Sequence, residues 1–364
     1  MSDNEPLVSV LLALATLYEL RGEMGRAQDM ALECQRLAPS GGDEHELESS
    51  ELLACNLFHQ GSFARALEYA ERGVELFEGG DSGSYSTYPA TLGDNAGVSC
   101  HDWAGLALWF LGRPDAALAR ATHALELARD PSRAYSLATA RAQMAVVHQC
   151  RREPEATLEW AEATIAAAQQ LGYVYREAMG RVLRGWALAL LGEQEQGIRE
   201  ITGGLAASRG TGARMDDPHY LALLGEAQLR TGAIDAGLAA VAEALELSRR
   251  ERSLFYEPEL LRLEGGLRAA AGDVAAAETA LRYGLARARE QGSATLELRI
   301  GTDLARLLTD PVAAAEARAD VRAAYAGFGE GFDTRDLREA AALIGQEMTP
   351  APASASTRAP STTR

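Results

Sequence analysis

Apolar and polar positions along the chain alternate with a helical period, in segments separated by short turns that recur at a nearly constant distance. A small or polar turn residue follows every second apolar segment, at Gly22, Gly61, Gly112, Arg152, Gly192, Gly232, Gly272 and Asp310. The seven intervals between these positions are 39, 51, 40, 40, 40, 40 and 38 residues. A fixed period of this size is typical of helical-repeat proteins, in which each repeat is one helix-turn-helix unit.

Columns of small residues keep step with these turns. Ala or Gly stands seven residues before the first seven turns, and Ala, Gly or Thr stands five residues after every turn. A third column, twelve residues after the turn, is also small until the last repeat. There Asp303 interrupts the first column and Arg322 interrupts the third. Two helices approach closely only where their side chains are small, so the columns predict a helix A before each turn packed against a helix B after it.

This spacing resembles the tetratricopeptide repeat (TPR), with a period of 40 residues in place of the family's usual length of about 34. The predicted fold class is therefore all-α, a right-handed superhelix (TPR-like solenoid) of about eight 40-residue helical hairpins. Helix A is predicted near 7–21, 43–60, 97–111, 132–151, 173–191, 217–231, 257–271 and 294–309. Helix B is predicted near 25–38, 63–78, 114–129, 154–170, 194–209, 233–250, 273–290 and 312–326.

Both ends of this pattern have a predicted boundary. Residues 335–346 form an amphipathic segment that we expect to cap the last repeat, because a terminal repeat must cover its open apolar face. Residues 1–347 are assigned to the solenoid, and residues 348–364, rich in Pro, Ala, Ser and Thr, to a disordered tail.

One interval is 11 residues longer than the period, and the excess falls in residues 79–93. Glycines, hydroxyl residues and two tyrosines predict a loop there. Such an insertion is either a flexible surface loop or a segment that lies over a binding face.

Composition excludes several functions. All 35 basic residues are Arg, and the formal net charge is −17. Without Lys there is no Walker-type phosphate loop, no lysine Schiff base and no lysine clamp for a C-terminal carboxylate. The excess of acid argues against nucleic acid and anionic membranes as partners, because both attract positive charge.

The four cysteines, Cys34, Cys55, Cys100 and Cys150, form no close pair, and a reducing cytoplasm is the expected location. The apolar stretch from Leu7 follows an acidic start and contains polar residues, so it is not predicted as an export signal. No uninterrupted apolar run is long enough to span a bilayer.

Several stretches resemble a particular family: Gly93–Cys100 followed by Ala104–Leu118, then Arg184–Ala189 and Gly331–Ala340. They are similar to the TPR region at the C-terminus of bacterial class III adenylate/guanylate cyclase–ATPase fusion regulators. Repeats begin by Leu7 and no P-loop lysine is present, so the resemblance implies a sensor or scaffold module without cyclase or ATPase activity. Asn95-Ala96 and His101-Asp102 depart from the family's pattern and could mark an altered groove.

Residues capable of catalysis are few and scattered. If the chain is an enzyme, His59, His101 and His219 are the candidates, because histidine titrates near neutral pH. Cys55 and His59 share a helix face and could supply half a metal site, but no metal site is predicted because a ligand set needs three or four members. Cys100, His101 and Asp102 cannot form a relay, since adjacent helical residues point about 100° apart. The pair Asp216-Asp217 is interpreted as a helix cap or a solvated face.

The concave face, which helix A lines in tetratricopeptide hairpins, offers a better candidate site. We expect it to carry aromatic and polar residues suited to a peptide or small effector, namely Phe58, His59, Asp102, Trp109, Phe110, Trp186, His219, Glu226 and Arg230. Trp109 and Trp186 have an equally good alternative role as packing between repeats.

Three functions remain open. The first is a non-enzymatic module that binds a protein segment or small-molecule effector in the groove, related to the sensor region of signalling ATPases and needing no cofactor. The second is a recruited enzyme of a small-molecule biosynthetic pathway that uses groove histidines. The third is a fragment of a larger transcriptional or cyclase regulator. The oligomeric state stays open.

Overall fold

The computed structural model describes residues 5–37, 43–79, 95–130 and 134–345. Within them the chain is all-helical. The helices are α1 Glu5–Leu20, α2 Met24–Leu37, α3 Asp43–His59, α4 Phe63–Gly79, α5 Ala96–Phe110, α6 Pro114–Leu127, α7 Ala134–Cys150, α8 Pro154–Leu171, α9 Val174–Leu191, α10 Gln194–Gly210, α11 Asp217–Thr231, α12 Ile234–Glu251, α13 Glu257–Ala270, α14 Val274–Glu290, α15 Ala294–Leu307, α16 Pro311–Ala326 and α17 Arg335–Ile344. The predicted α-helical solenoid is confirmed, with eight hairpins followed by one further helix.

The turn positions inferred from the sequence lie where helix A ends. Seven of the eight turn residues have a left-handed backbone, with φ of 78° at Gly22 and 61° at Arg152, which is not a glycine. A left-handed residue ends a helix by turning its last carbonyls toward the following amides. Asp310 differs, because its φ is −65° and its carboxylate accepts from the amides of Val312 and Ala313, so it caps the start of α16.

The small columns meet at the crossing of the two helices in each hairpin. A Cβ atom added to Gly185 would lie 2.6 Å from the carbonyl oxygen of Gly197, and one added to Gly105 would lie 3.2 Å from that of Ala117. These pairs are the residue seven before the turn and the residue five after it. The close helix approach predicted from the columns is therefore present.

Successive turns of the superhelix contact each other. This closure repeats with a fixed register along the chain. The end of helix A in hairpin 1 lies against the segment before helix A of hairpin 6, where the amide of Arg214 donates to the carbonyl of Leu20 at 2.7 Å. One hairpin along, the amides of Leu254 and Phe255 donate to the carbonyl of His59 at 2.6 and 2.9 Å. The next step joins hairpin 3 to hairpin 8, through the Thr295 hydroxyl and the Trp109 carbonyl at 2.6 Å. Hairpins 1, 2 and 3 thus each contact the hairpin five further along.

Helix α17 completes the same register at hairpin 4. Arg299 of α15 donates to the Cys150 carbonyl at 2.8 Å and to the Asp336 carboxylate of α17, which also pairs with Arg152 at 3.0 Å. Leu337 and Ala341 are buried against the last repeat, as expected of a cap. The predicted tail, 348–364, lies outside the described residues, and so do residues 80–94, which include nearly all of the predicted insertion.

Candidate functional site

Two adjoining cavities lie on the inner side of the superhelix, where its successive turns meet. Every residue that lines them lies on a helix A, namely α1, α3, α5, α7, α9 or α11, or on the segments before α9, α11 and α13. Trp103, Gln143, Arg176 and Met215 line both cavities, so the two spaces lie side by side and share a wall; the two cavities together are termed the channel. The expectation that helix A lines the inner face thus matches the geometry.

The first cavity, of about 90 Å³, is lined by acidic and polar side chains as well as apolar ones. Trp103 donates its indole N–H to Glu51 at 2.9 Å, and Asn56 donates to Glu19. Burial, and then the negative charge of Glu51, raise the pKa of Glu19 well above its ordinary value. Asp102, 2% exposed, lines the same space. Three carboxylates therefore surround a cavity in which Arg176 is the one arginine of the described lining.

The second cavity, of about 40 Å³, is aromatic. The ring of Phe58 packs on Phe110, Trp103 and Phe255 with centroid separations of 5.1 to 5.5 Å. Phe255 comes from the segment before α13, so residues from opposite sides of the superhelix build this wall. Ring pairs at such distances stabilise both packing and the closure of the superhelix.

Two predicted histidines converge on this second cavity. His59 and His219 both pack edge-on against Phe255, with centroids 5.1 and 6.3 Å away. His59 Nδ1 lies 2.9 Å from the Cys55 carbonyl, and His219 Nε2 lies 3.0 Å from Gln149 Oε1. Burial lowers the pKa of both rings, that of His219 to about 4 despite the opposing charge of Asp216. Both imidazoles are therefore neutral at physiological pH.

The acidic pair Asp216-Asp217 lies at the start of α11, but the interpretation of its side chains as a helix cap or a solvated face is wrong. Asp216 accepts hydrogen bonds from the hydroxyls of Tyr175 and Tyr220 and lines the second cavity. Asp217 is 1% exposed and accepts from Arg209 at 2.8 Å. Neither carboxylate makes a capping hydrogen bond to the backbone of α11; Asp216 is taken up by Tyr175 of α9 and Tyr220 of α11, and Asp217 by Arg209 of α10.

The remaining candidate residues lie outside the two cavities. Trp109 is buried under Arg299, 5.2 Å from the ring, and Trp186 is fully buried and donates to Glu226 at 2.8 Å. Both tryptophans thus pack between repeats, the alternative given for them above. Arg230 is exposed at the end of α11.

The three consecutive residues Cys100, His101 and Asp102 point in different directions. Cys100 packs beneath Gly73, and burial raises the pKa of its thiol well above the ordinary value. His101 lies beside Arg120, 3.3 Å from its guanidinium, whereas Asp102 lines the first cavity. Burial, followed by Arg120 and His123, lowers the pKa of His101 to about 3. The three side chains form no relay.

Several lining residues were missed by the sequence analysis: Trp103, Gln143, Tyr175, Arg176, Met215, Phe255 and Tyr256. For three of them, the 40-residue period itself contained a signal. Tyr175, Met215 and Phe255 are spaced by 40 residues, so they occupy one structural column. That column precedes or begins helix A, a position that faces the channel only once the superhelix has closed.

Among the described helices, none combines the length and apolar character needed to cross a bilayer. No protein-family model matches the chain, and no curated protein matches it in sequence.

Solved structures resemble the chain in fold. A Rap protein complexed with competence and sporulation factor is 13% identical, with a TM-score of 0.58, and the match covers 93% of this chain and 96% of that one. NprR in complex with its cognate peptide NprX is 10% identical, with a TM-score of 0.61 over 89% of each chain. The Rap conjugation gene regulator of plasmid pLS20, in complex with the Phr* peptide, is 10% identical, with a TM-score of 0.57 over 94% of this chain and 99% of that one. The chain thus shares its fold with TPR-like helical-repeat proteins.

Proposed function

We propose that the protein is a regulatory binding module that takes side chains of a short peptide into the channel formed by its two cavities. The observation that carries this proposal is the contact between successive turns of the superhelix, which brings helix A of successive hairpins and the segments before α11 and α13 around both cavities. At about 10–15 Å³ per water, the first cavity has room for about six to nine waters. That volume suits one or two side chains of a peptide and not a folded domain.

The lining matches the mixed chemistry of a peptide. Gln143 lines both cavities, and its side-chain oxygen is buried with no hydrogen-bond partner among the described residues. Buried polar atoms in proteins are nearly always paired, so a ligand N–H is the natural partner for this oxygen. The aromatic second cavity suits an apolar side chain.

The charge of the channel favours a ligand with a positive group. Glu51 and Asp102 line the first cavity beside Arg176, and Asp216 lines the second. Opposite charge within such a low-dielectric space steers and orients a ligand. Two solved proteins of the same fold, NprR and the pLS20 Rap regulator, are in complex with peptides. The relation to the sensor regions of signalling ATPases, suggested by sequence motifs, belongs to the same proposal.

The enzyme alternative has one observation in its favour, the convergence of His59 and His219 on the second cavity. A general base works best with a pKa near the working pH. Burial lowers the pKa of His219 to about 4, and it raises that of the Cys55 thiol well above its ordinary value. Neither a matched base nor an activated thiolate is present among these groups, which supports binding over catalysis.

Selection of peptides by the full chain tests the proposal. A synthetic pool of five- to seven-residue peptides is incubated with the protein, and the retained peptides are identified by mass spectrometry. Ser99→Trp fills the first cavity, and Thr202→Trp is the matched control because Thr202 is exposed on α10. We expect the wild type and Thr202→Trp to retain the same peptides and Ser99→Trp to retain at least about tenfold less, a loss of about 1.4 kcal/mol.

Two results would count against binding. Failure of the wild type to enrich any peptide would contradict the proposal, as would equal retention by Ser99→Trp. Recovery of chemically altered peptides, with the alteration lost in His219→Gln, would support the enzyme alternative.

A further inference from the structure

Three potential metal ligands come together away from the channel. Glu78 lies in the last turn of α4, His101 on α5 and His123 on α6, so two adjacent hairpins contribute. One ligand atom from each lies within 4.8 Å of the other two. Glu78 Oε1 is 3.6 Å from His101 Nε2 and 3.7 Å from His123 Nε2.

His101 contributes a buried ring nitrogen that faces the other two ligands. Its side chain is 0% exposed, and Nε2 is buried without a hydrogen-bond partner among the described residues. The 3.6 Å separation from Glu78 is too long for a hydrogen bond. A buried ring nitrogen thus points at an exposed carboxylate and a second imidazole without being satisfied by either, and a bound cation would satisfy it.

The geometry fits a small transition-metal ion. Zinc bonds of about 2.0–2.1 Å place the ligand atoms of a tetrahedral site about 3.3 Å apart. Two of the three separations exceed this by only a few tenths of an ångström. His101 is fixed by burial, whereas Glu78 and His123, 55% and 47% exposed, are free to move the remaining distance.

Two charged side chains beside the cluster, Glu126 and Arg120, affect how an ion would bind. Glu126 Oε2 lies 3.9 Å from His123 Nδ1 and is placed to orient that ring, as carboxylates commonly do for metal-bound histidines. Arg120 Nη1 lies 3.3 Å from His101 Nδ1. A metal ion on Nε2 requires the ring proton on Nδ1, so binding requires Nη1 to shift away from that nitrogen, which the 2.7 Å bond from Arg120 Nη2 to Glu71 would allow.

We propose that Glu78, His101 and His123 bind one divalent transition-metal ion, with zinc the best fit, and that a water completes the coordination. Two imidazole nitrogens and one carboxylate oxygen form a donor set that zinc accepts. The ion would join hairpins 2 and 3 at the point where the chain leaves α4 for residues 80–94. No metal site was predicted from the sequence. These ligands are separated by 23 and 22 residues and come from three helices, so no local spacing marks them.

Cobalt(II) titration of the chelator-treated full chain tests the site, because bound cobalt gives visible absorption bands that report its coordination. We expect one cobalt per chain with the intense bands of a low-coordinate site, displaced by one equivalent of zinc. Glu78→Gln and His123→Ala change exposed or half-exposed side chains, so the fold should survive, and each should weaken binding at least tenfold.

The matched control is Glu75→Gln, on the same helix and 72% exposed. It should bind cobalt as the wild type does. Absence of saturable binding in the wild type would overturn the proposal. Wild-type affinity in both Glu78→Gln and His123→Ala would also overturn it, since the metal would then lie elsewhere.

Discussion

Arg299 and Asp336 form a buried ion pair, with Nη2 of the arginine 2.6 Å from Oδ2 of the carboxylate, that attaches the last helix to the rest of the superhelix. Arg299 is 4% exposed and also donates to the Cys150 carbonyl in hairpin 4. One guanidinium therefore joins hairpin 8, the capping helix and hairpin 4. The closure that shapes the channel ends in this contact.

Removal of Asp336 should be costly. Asp336→Ala leaves Arg299 buried with the more distant Glu259, at 3.4 Å, as its acidic partner among the described residues, and removal of one partner of a buried ion pair costs about 3 kcal/mol or more. Urea unfolding at pH 7 measures the change. Glu339→Ala, on the same helix and 26% exposed, is the control and should cost about 1 kcal/mol or less. Equal stability of the two variants would show that the ion pair does not hold the cap.

The buried histidines predict a loss of stability in mild acid. His219 has a pKa of about 4 when folded, below its ordinary value of 6.5, so the unfolded chain binds its proton first. Stability therefore falls as the pH is lowered from about 6.5 toward 4 and stops falling from this source below 4. At about 1.4 kcal/mol per pKa unit, the effect reaches about 3 kcal/mol.

His219→Gln isolates this effect, because glutamine cannot take up the proton. The difference in unfolding free energy between wild type and variant is measured at pH 7 and at pH 4.5. We expect the wild type to lose more stability than the variant between these two values. An unchanged difference would mean that His219 is not held neutral by burial.

The helix crossing of hairpin 5 should not tolerate a methyl group. In Gly185→Ala the new Cβ would lie 2.6 Å from the Gly197 carbonyl oxygen and 2.8 Å from Ile201, so α9 and α10 must separate. Overpacking of this kind costs about 1–3 kcal/mol. Gly25→Ala is the matched control, since nothing lies within 4 Å of the added atom and alanine favours the helix.

Thermal unfolding of the two variants distinguishes the roles of the two glycines. Gly185→Ala should melt several degrees lower than the wild type and Gly25→Ala at the same temperature or slightly higher. A Gly185→Ala variant as stable as the wild type would mean that the small column is not required for close packing.

The sequence predicted the helices and their packing because both are local properties. The turn at Gly112 and the pair Gly105 and Ala117 are each set by residues of a single hairpin. The channel was predicted only in part. The predicted residues that line it are Phe58, His59, Phe110, His219 and Asp102. The other side is lined by Met215 and Phe255, which precede hairpins 6 and 7 and lie five repeats from the hairpins 1 and 2 that they contact. The pitch at which hairpins stack decides that register, and no motif within one repeat encodes it.

Peptide binding in the channel is tested by hydrogen–deuterium exchange of the full chain with and without the peptide that the wild type retains best. The amides of Arg214, Met215, Leu254 and Phe255 donate across the closure to Leu20 and His59, beside the channel. A ligand held in the channel should slow their exchange, while the exposed faces of α6, α8 and α10 stay unchanged. Slower exchange confined to those outer helices, or no change at the four amides, would contradict peptide binding in the channel.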